Sequence, residues 1–109
     1  MCRAVKLLCV ADSRDRLDEV KRAVVSAEWE LCPGATTVEE AAAQLDAERP
    51  HVLIALGSFA DLVRTARDRF PALRIVTDRE LPESDAVVAS LGQLRDVIRS
   101  APPIGGPVR

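Results

Sequence analysis

Residues 50–61 read Pro-His-Val-Leu-Ile-Ala-Leu-Gly-Ser-Phe-Ala-Asp, and the rest of the chain is arranged around them. Residues 52–56 are an unbroken apolar run, too short for a helix and without the alternation of a strand that has one wet face. The run therefore predicts a strand buried on both sides, as in a parallel sheet covered by helices. Gly57 ends it. Ser58 with Asp61 three residues later has the spacing of a helix-start cap. A strand feeding a helix in this way places Gly57 and Ser58 at the carboxyl rim of the sheet, where open α/β folds carry their chemistry. Little at this rim is chemically equipped.

The chain has 109 residues, enough for one hydrophobic core without disulfides or metal. With one Trp, two Phe and no Tyr, that core must be aliphatic. A formal charge of −2 argues against a dedicated nucleic-acid binder, which needs a basic face to neutralise phosphates. The three cysteines, Cys2, Cys9 and Cys32, are an odd set in a chain with no signal-peptide pattern, and imply reduced thiols in a cytoplasm. No apolar stretch approaches the length of a membrane span. Frequent Ala, and Arg in preference to Lys, suggest a GC-rich bacterial genome. Residues 1–100 are read as one domain. Residues 101–109, APPIGGPVR, are read as a disordered tail or the start of a linker.

Outward from the central run, residues 5–11 (VKLLCVA) predict a first strand, followed by a helix capped by Asp12 or Ser13. Leu17, Val20, Val24 and Ala27 form that helix's apolar stripe. A weak edge strand is expected around residues 30–32, just after Trp29 and broken by Pro33-Gly34. Thr37 and Glu40 form a capping box opening a helix with Val38, Ala41, Ala42 and Leu45 inward, ended by Arg49-Pro50. After the central strand, Phe59, Leu62, Val63, Ala66 and Phe70 mark a helix that Pro71 stops. Residues 74–77 (RIVT) predict a fourth strand and residues 86–89 (AVVA) a fifth. Ser90 and Gln93 form another capping box, opening a last helix with Leu91, Leu94, Val97, Ile98 and Ala101 inward. The 78–85 link is short for a helical crossover, so the fourth helix is expected to be shortened or missing. A competing parse runs one helix over 83–100 and loses the fifth strand. Gly92 in its interior weighs against it.

Strands alternating with helices predict an α/β, three-layer αβα sandwich around a parallel sheet of order 2-1-3-4-5. In this layout the chain resembles the receiver domain of two-component response regulators, a flavodoxin-like fold. VKLLCVAD (5–12) resembles the family's first strand, RPHVLIAL (49–56) its third, 74–78 its fourth, and DAVVASL (85–91) its fifth with the start of the last helix.

The resemblance also implies where the family's working residues would stand. Receivers end the first strand with two adjacent acids that hold magnesium; here the positions are Ala11 and Asp12. The phosphate-accepting Asp of the third strand corresponds to Leu56, or to Gly57 in a register one later. Thr77 matches the Thr at the end of the fourth strand. The Lys of the fifth strand falls on Ala89 and the aromatic switch on Ala86. With the nucleophile, the lysine and one metal ligand missing, the resemblance implies a pseudo-receiver: no catalysis, no cofactor and no metal, Asp12 being the weak candidate ligand that is left. Association would use the face of the last elements, with Arg79, Ala86, Ala89, Gly92 and Arg95, in a homodimer or with a protein partner, not with nucleic acid or a membrane.

Other readings of the residues compete with this one. Cys9, near the end of the first strand, could be a phosphocysteine nucleophile, but that chemistry needs a nest of backbone N–H groups, and Val-Ala-Asp follows it instead. A buried core thiol accounts for it better. Asp12, Asp15 and Asp78 could gather round a divalent ion, or simply cap helices. His51 lies at the opposite edge from the rim with no ligand spacing. Arg64, Arg67 and Arg69 read as a phosphate patch or, with Asp61 and Asp68 interspersed, as a solvated helix face. A nucleotide or flavin loop after the first strand would need glycines that Asp12-Ser13-Arg14-Asp15 lacks. The runner-up function is thus a small-ligand binder or phosphocysteine-type enzyme using Cys9 or the rim acids.

Overall fold

The computed structural model describes residues 5–25, 29–79, 81, 84–88 and 90–100. In chain order the elements are β1 (Val5–Ala11), α1 (Arg14–Val24), β2 (Trp29–Leu31), α2 (Val38–Glu48), β3 (Val52–Leu56), α3 (Ala60–Arg69), β4 (Arg74–Thr77), β5 (Ala86–Val87), a 3₁₀ turn (Leu91–Gln93) and α4 (Leu94–Ser100). All strand pairs are parallel and the order is β2-β1-β3-β4-β5, as expected.

Because side chains alternate along a strand, the apolar strands supply two cores at once. Leu7, Cys9, Ala11, Ile54, Leu56 and Val76 face one layer, where Leu17, Val20 and Val24 of α1 meet Leu94 and Ile98 of α4. Leu8, Val10, Leu53, Ala55 and Ile75 face the other, against Ala41 and Leu45 of α2 and Leu62, Val63 and Ala66 of α3. Trp29 belongs to the edge strand itself rather than preceding it, and its indole N–H donates to the Val24 carbonyl at 2.5 Å. That bond closes the end of α1 against β2.

Several local expectations are corrected. Val38 is not inward: it is 43% exposed, at the first turn of α2, and Ala42 is only half-buried. Thr37 does cap α2, accepting from the Glu40 N–H, but Glu40 reaches back to the Thr36 N–H instead of Thr37's. Ser58 does not cap α3. Gly57, at φ +114°, folds the chain into a tight turn in which the Phe59 N–H bonds the Gly57 carbonyl, and Phe59 becomes the N-cap with its ring buried. Burial of an aromatic ring outweighs a cap worth about 1 kcal/mol. Ser90 likewise makes no side-chain cap; the Gln93 N–H bonds its backbone carbonyl, starting a 3₁₀ turn. Of Asp12 and Ser13, Ser13 caps α1.

The strand at 86–87 settles the competing parse against a single last helix, and is shorter than the expected 86–89. Among the described residues between β4 and β5 none is helical, in line with a shortened or missing fourth helix. Expectations on Cys2, Ala27, Pro82, Glu83, Ala89, Ala101 and the 101–109 tail fall outside the described residues.

Candidate functional site

The carboxyl rim is built where β1, β3 and β4 end side by side, with Ala11 paired to Leu56 and Ala55 to Thr77. The strand pleat turns Leu56 down into the core with α1 and α4, and it is only 2% exposed. Gly57 is the next residue and carries no side chain. Its positive φ suits glycine, and a β-carbon there would sit 3.3 Å from an Asp12 carboxylate oxygen. Asp78, the first residue after β4, turns a carboxylate oxygen to the Gly57 N–H at 3.2 Å and lies 3.6 Å from Nε of Arg79. Two carboxylates thus converge on one glycine.

Thr77 is the one polar side chain among the buried described residues, at 1% exposure. Its hydroxyl lies 2.7 Å from the Arg79 carbonyl and 2.8 Å from the Ser84 hydroxyl. A carbonyl can only accept, so Thr77 donates to Arg79 and Ser84 donates to Thr77. The hydroxyl is therefore spent on the β4–β5 link.

Of the three rim acids, Asp12 and Asp78 come together at Gly57, while Asp15 lies in the first turn of α1. Among the described residues no three His, Cys, Asp or Glu side chains form a cluster fit for a metal ion. Cys9 is 1% exposed, and burial pushes its thiol up to about 12, the reverse of what a nucleophile needs. Cys32 is also raised, chiefly by burial. At the far edge, His51 Nδ1 accepts from the Lys6 N–H at 3.0 Å, while the Lys6 ammonium pairs with Glu48 at 3.2 Å, which raises its pKa. The arginines of α3 are engaged by neighbours: Arg64 with Asp61, Arg67 with Asp85 and Arg69 with Asp46.

Of the residues expected to form an association face, the described ones, Arg79, Ala86, Gly92 and Arg95, do not share one surface. Arg79 borders an open groove of about 390 Å³ with Val38, Ser58, Phe59, Leu62 and Leu81 on the α2/α3 side. Arg95 donates to the Val25 carbonyl at the end of α1. Ala86 is half-buried, Gly92 exposed, and Val87 on the edge strand is 44% exposed. Sequence reasoning had not singled out Asp78 as a partner of Gly57, nor Ser84 as a partner of Thr77. No local sequence pattern encodes either partnership.

No family model matches the chain, and no curated protein sequence matches it. Solved structures do. It superposes on a response regulator receiver domain protein of Methanospirillum hungatei JF-1 with a TM-score of 0.74 at 19% identity, covering 89% of this chain and 92% of that one. With the response regulator domain of Thermotoga maritima CheB the TM-score is 0.79 at 15% identity, over 91% and 96%. With a response regulator receiver protein of Pseudomonas putida it is 0.76 at 21% identity, over 93% and 100%. The protein thus has the fold of receiver domains.

Proposed function

We propose that this chain is a receiver-like regulatory module that works through protein–protein contact and is not phosphorylated on an aspartate. The observation that carries the reading is the end of β3, where an aliphatic side chain buried in the core and a glycine overhung by a carboxylate occupy the places a phosphoacceptor would need. Phosphoryl transfer requires a nucleophile in line with the donor and cations around the transferred oxygens. Here no nucleophilic side chain stands at the end of β3, and the Asp78 carboxylate is already engaged by the Gly57 N–H and Arg79. No helix among the described residues is long and apolar enough to cross a membrane. The fold it shares with receivers supports reading it as a cytoplasmic signalling module that acts as a homodimer or bound to a protein partner.

The test is an amide NMR titration with Mg²⁺ and beryllofluoride. The signals of Asp12, Gly57 and Thr77 are expected to stay still. A concerted, saturable shift of all three would overturn the reading. For the homodimer version, a monomer in sedimentation at tens of micromolar would leave only the heterologous partner. The enzyme alternative has less to support it, because its nucleophile would be a thiol that burial keeps protonated.

A further inference from the structure

A module that acts by its surfaces alone needs those surfaces fixed, and the rim contains a device suited to fixing them. Gly57 ends the central strand, Asp78 follows its neighbour, and the two strands themselves are joined only as far as the Ala55–Thr77 pair. Beyond that pair, the hydrogen bond from the Gly57 N–H to the Asp78 carboxylate continues the connection. From Asp78 the tie runs on into the link. The preceding residue, Thr77, bonds the Arg79 carbonyl and receives the Ser84 hydroxyl, and the Ser84 N–H in turn bonds the Leu81 carbonyl. The only buried side-chain hydroxyl among the described residues is thereby committed to the link.

Resting on the non-phosphorylated reading above, we infer that the Asp78 side chain is a built-in hydrogen-bond acceptor that pins the end of β4 to the end of β3 and, through the adjacent Thr77, steadies the Thr77–Ser84 contact. The Gly57 N–H is satisfied from within the chain, and the Thr77 hydroxyl is engaged by the Arg79 carbonyl and the Ser84 hydroxyl. The ends of β3 and β4 are thereby held together at the rim, beside Arg79.

The test compares Asp78→Ala, Asp78→Asn and wild type by amide hydrogen exchange and NMR, with Trp29 fluorescence confirming that each variant is folded. Asp78→Ala is expected to speed exchange of the Gly57 amide about tenfold, the loss of one hydrogen bond, and to broaden Thr77 and Ser84 by exchange between conformers. Asp78→Asn keeps an acceptor oxygen and is expected to retain most of the Gly57 protection. Unchanged Gly57 exchange in a folded Asp78→Ala variant, or shifts that stop short of Ser84, would overturn the pin. The beryllofluoride titration of wild type is independent of this result, so the failure of the pin and the failure of the non-phosphorylated reading are separately visible.

Discussion

Arg67 of α3 and Asp85, immediately before β5, meet at 2.6 Å, and the same Asp85 oxygen accepts the Ile75 N–H of β4 at 2.8 Å. The Asp85 N–H returns to the Ile75 carbonyl, and Arg67 also donates to the Pro71 and Leu73 carbonyls. One carboxylate thus ties the helix before β4, β4 itself and the start of β5. In a fold with no helix among the described residues of the β4–β5 link, these side-chain bonds anchor the edge strand.

Asp85→Ala is accordingly expected to destabilise the protein by about 1–3 kcal/mol, combining a partly exposed ion pair with an orphaned backbone donor. Urea unfolding followed by the single Trp would measure it, and amide protection at Ala86 and Val87 is expected to fall before that of β1 and β3. Arg67→Lys keeps the charge but not the fork, and is expected to recover less than half of the loss of Arg67→Ala.

Cys9 makes a prediction that also decides between the two functional readings. In a Cys2→Ser background, iodoacetamide at neutral pH is expected to leave native Cys9 unlabelled and to label it once urea unfolds the chain. Rapid native labelling would favour the enzyme reading.

The same thiol gives alkaline sensitivity. Its proton is held to about 12 in the folded protein against 9.0 unfolded. Its contribution is fully present below pH 9 and is lost as pH rises toward 12, on the order of 4 kcal/mol in all. The ion-paired Lys6, also raised, acts in the same direction. Cys9→Ala is expected to flatten this alkaline slope in pH-dependent urea midpoints while lowering stability at pH 7.

Gly57→Ala tests the crowding at the rim. The substitution forces a β-carbon into positive φ and to within 3.3 Å of the Asp12 carboxylate, at an expected cost of about 1–3 kcal/mol. Adding Asp12→Ala is expected to recover the steric part and leave the backbone part, so the two substitutions are non-additive in a double-mutant cycle.

The strands were legible because an unbroken aliphatic run has no other stable home in so small a protein. Residues 5–11, 52–56 and 74–77 form strands with the expected bounds. Helix starts were less legible. Ser58 and Ser90 carry the cap signature, yet their side chains do not cap, because the backbone turn at Gly57 and the 3₁₀ turn at 91–93 set those entries instead. Val38 was misplaced because an apolar residue at the first turn of a helix can overhang a groove rather than face the sheet. At the rim, the emptiness of Leu56 and Gly57 could be read from the chain. The partnership of Gly57 with Asp78, 21 residues away, could not, since no local pattern encodes it.

Leu56 gives the most direct test of whether the rim retains latent chemistry. Leu56→Asp writes an acid at the end of β3, but the pleat directs that side chain into the layer shared with Ile54, Val76 and Leu94. The variant loses a buried leucine and buries a carboxylate without a partner, for an expected loss of about 3–5 kcal/mol. That is a large part of the roughly 5–15 kcal/mol that holds a domain together. Leu56→Ala isolates the cavity share of the loss, and the difference between the two variants is the desolvation of the acid. With acetyl phosphate and Mg²⁺, intact mass spectrometry of folded Leu56→Asp is expected to show no added phosphoryl group, because the new carboxylate points away from Asp12 and solvent. A phosphorylated, folded variant would mean that the rim can still bind and position a phosphoryl donor, and that its acids serve a metal rather than crowd it out.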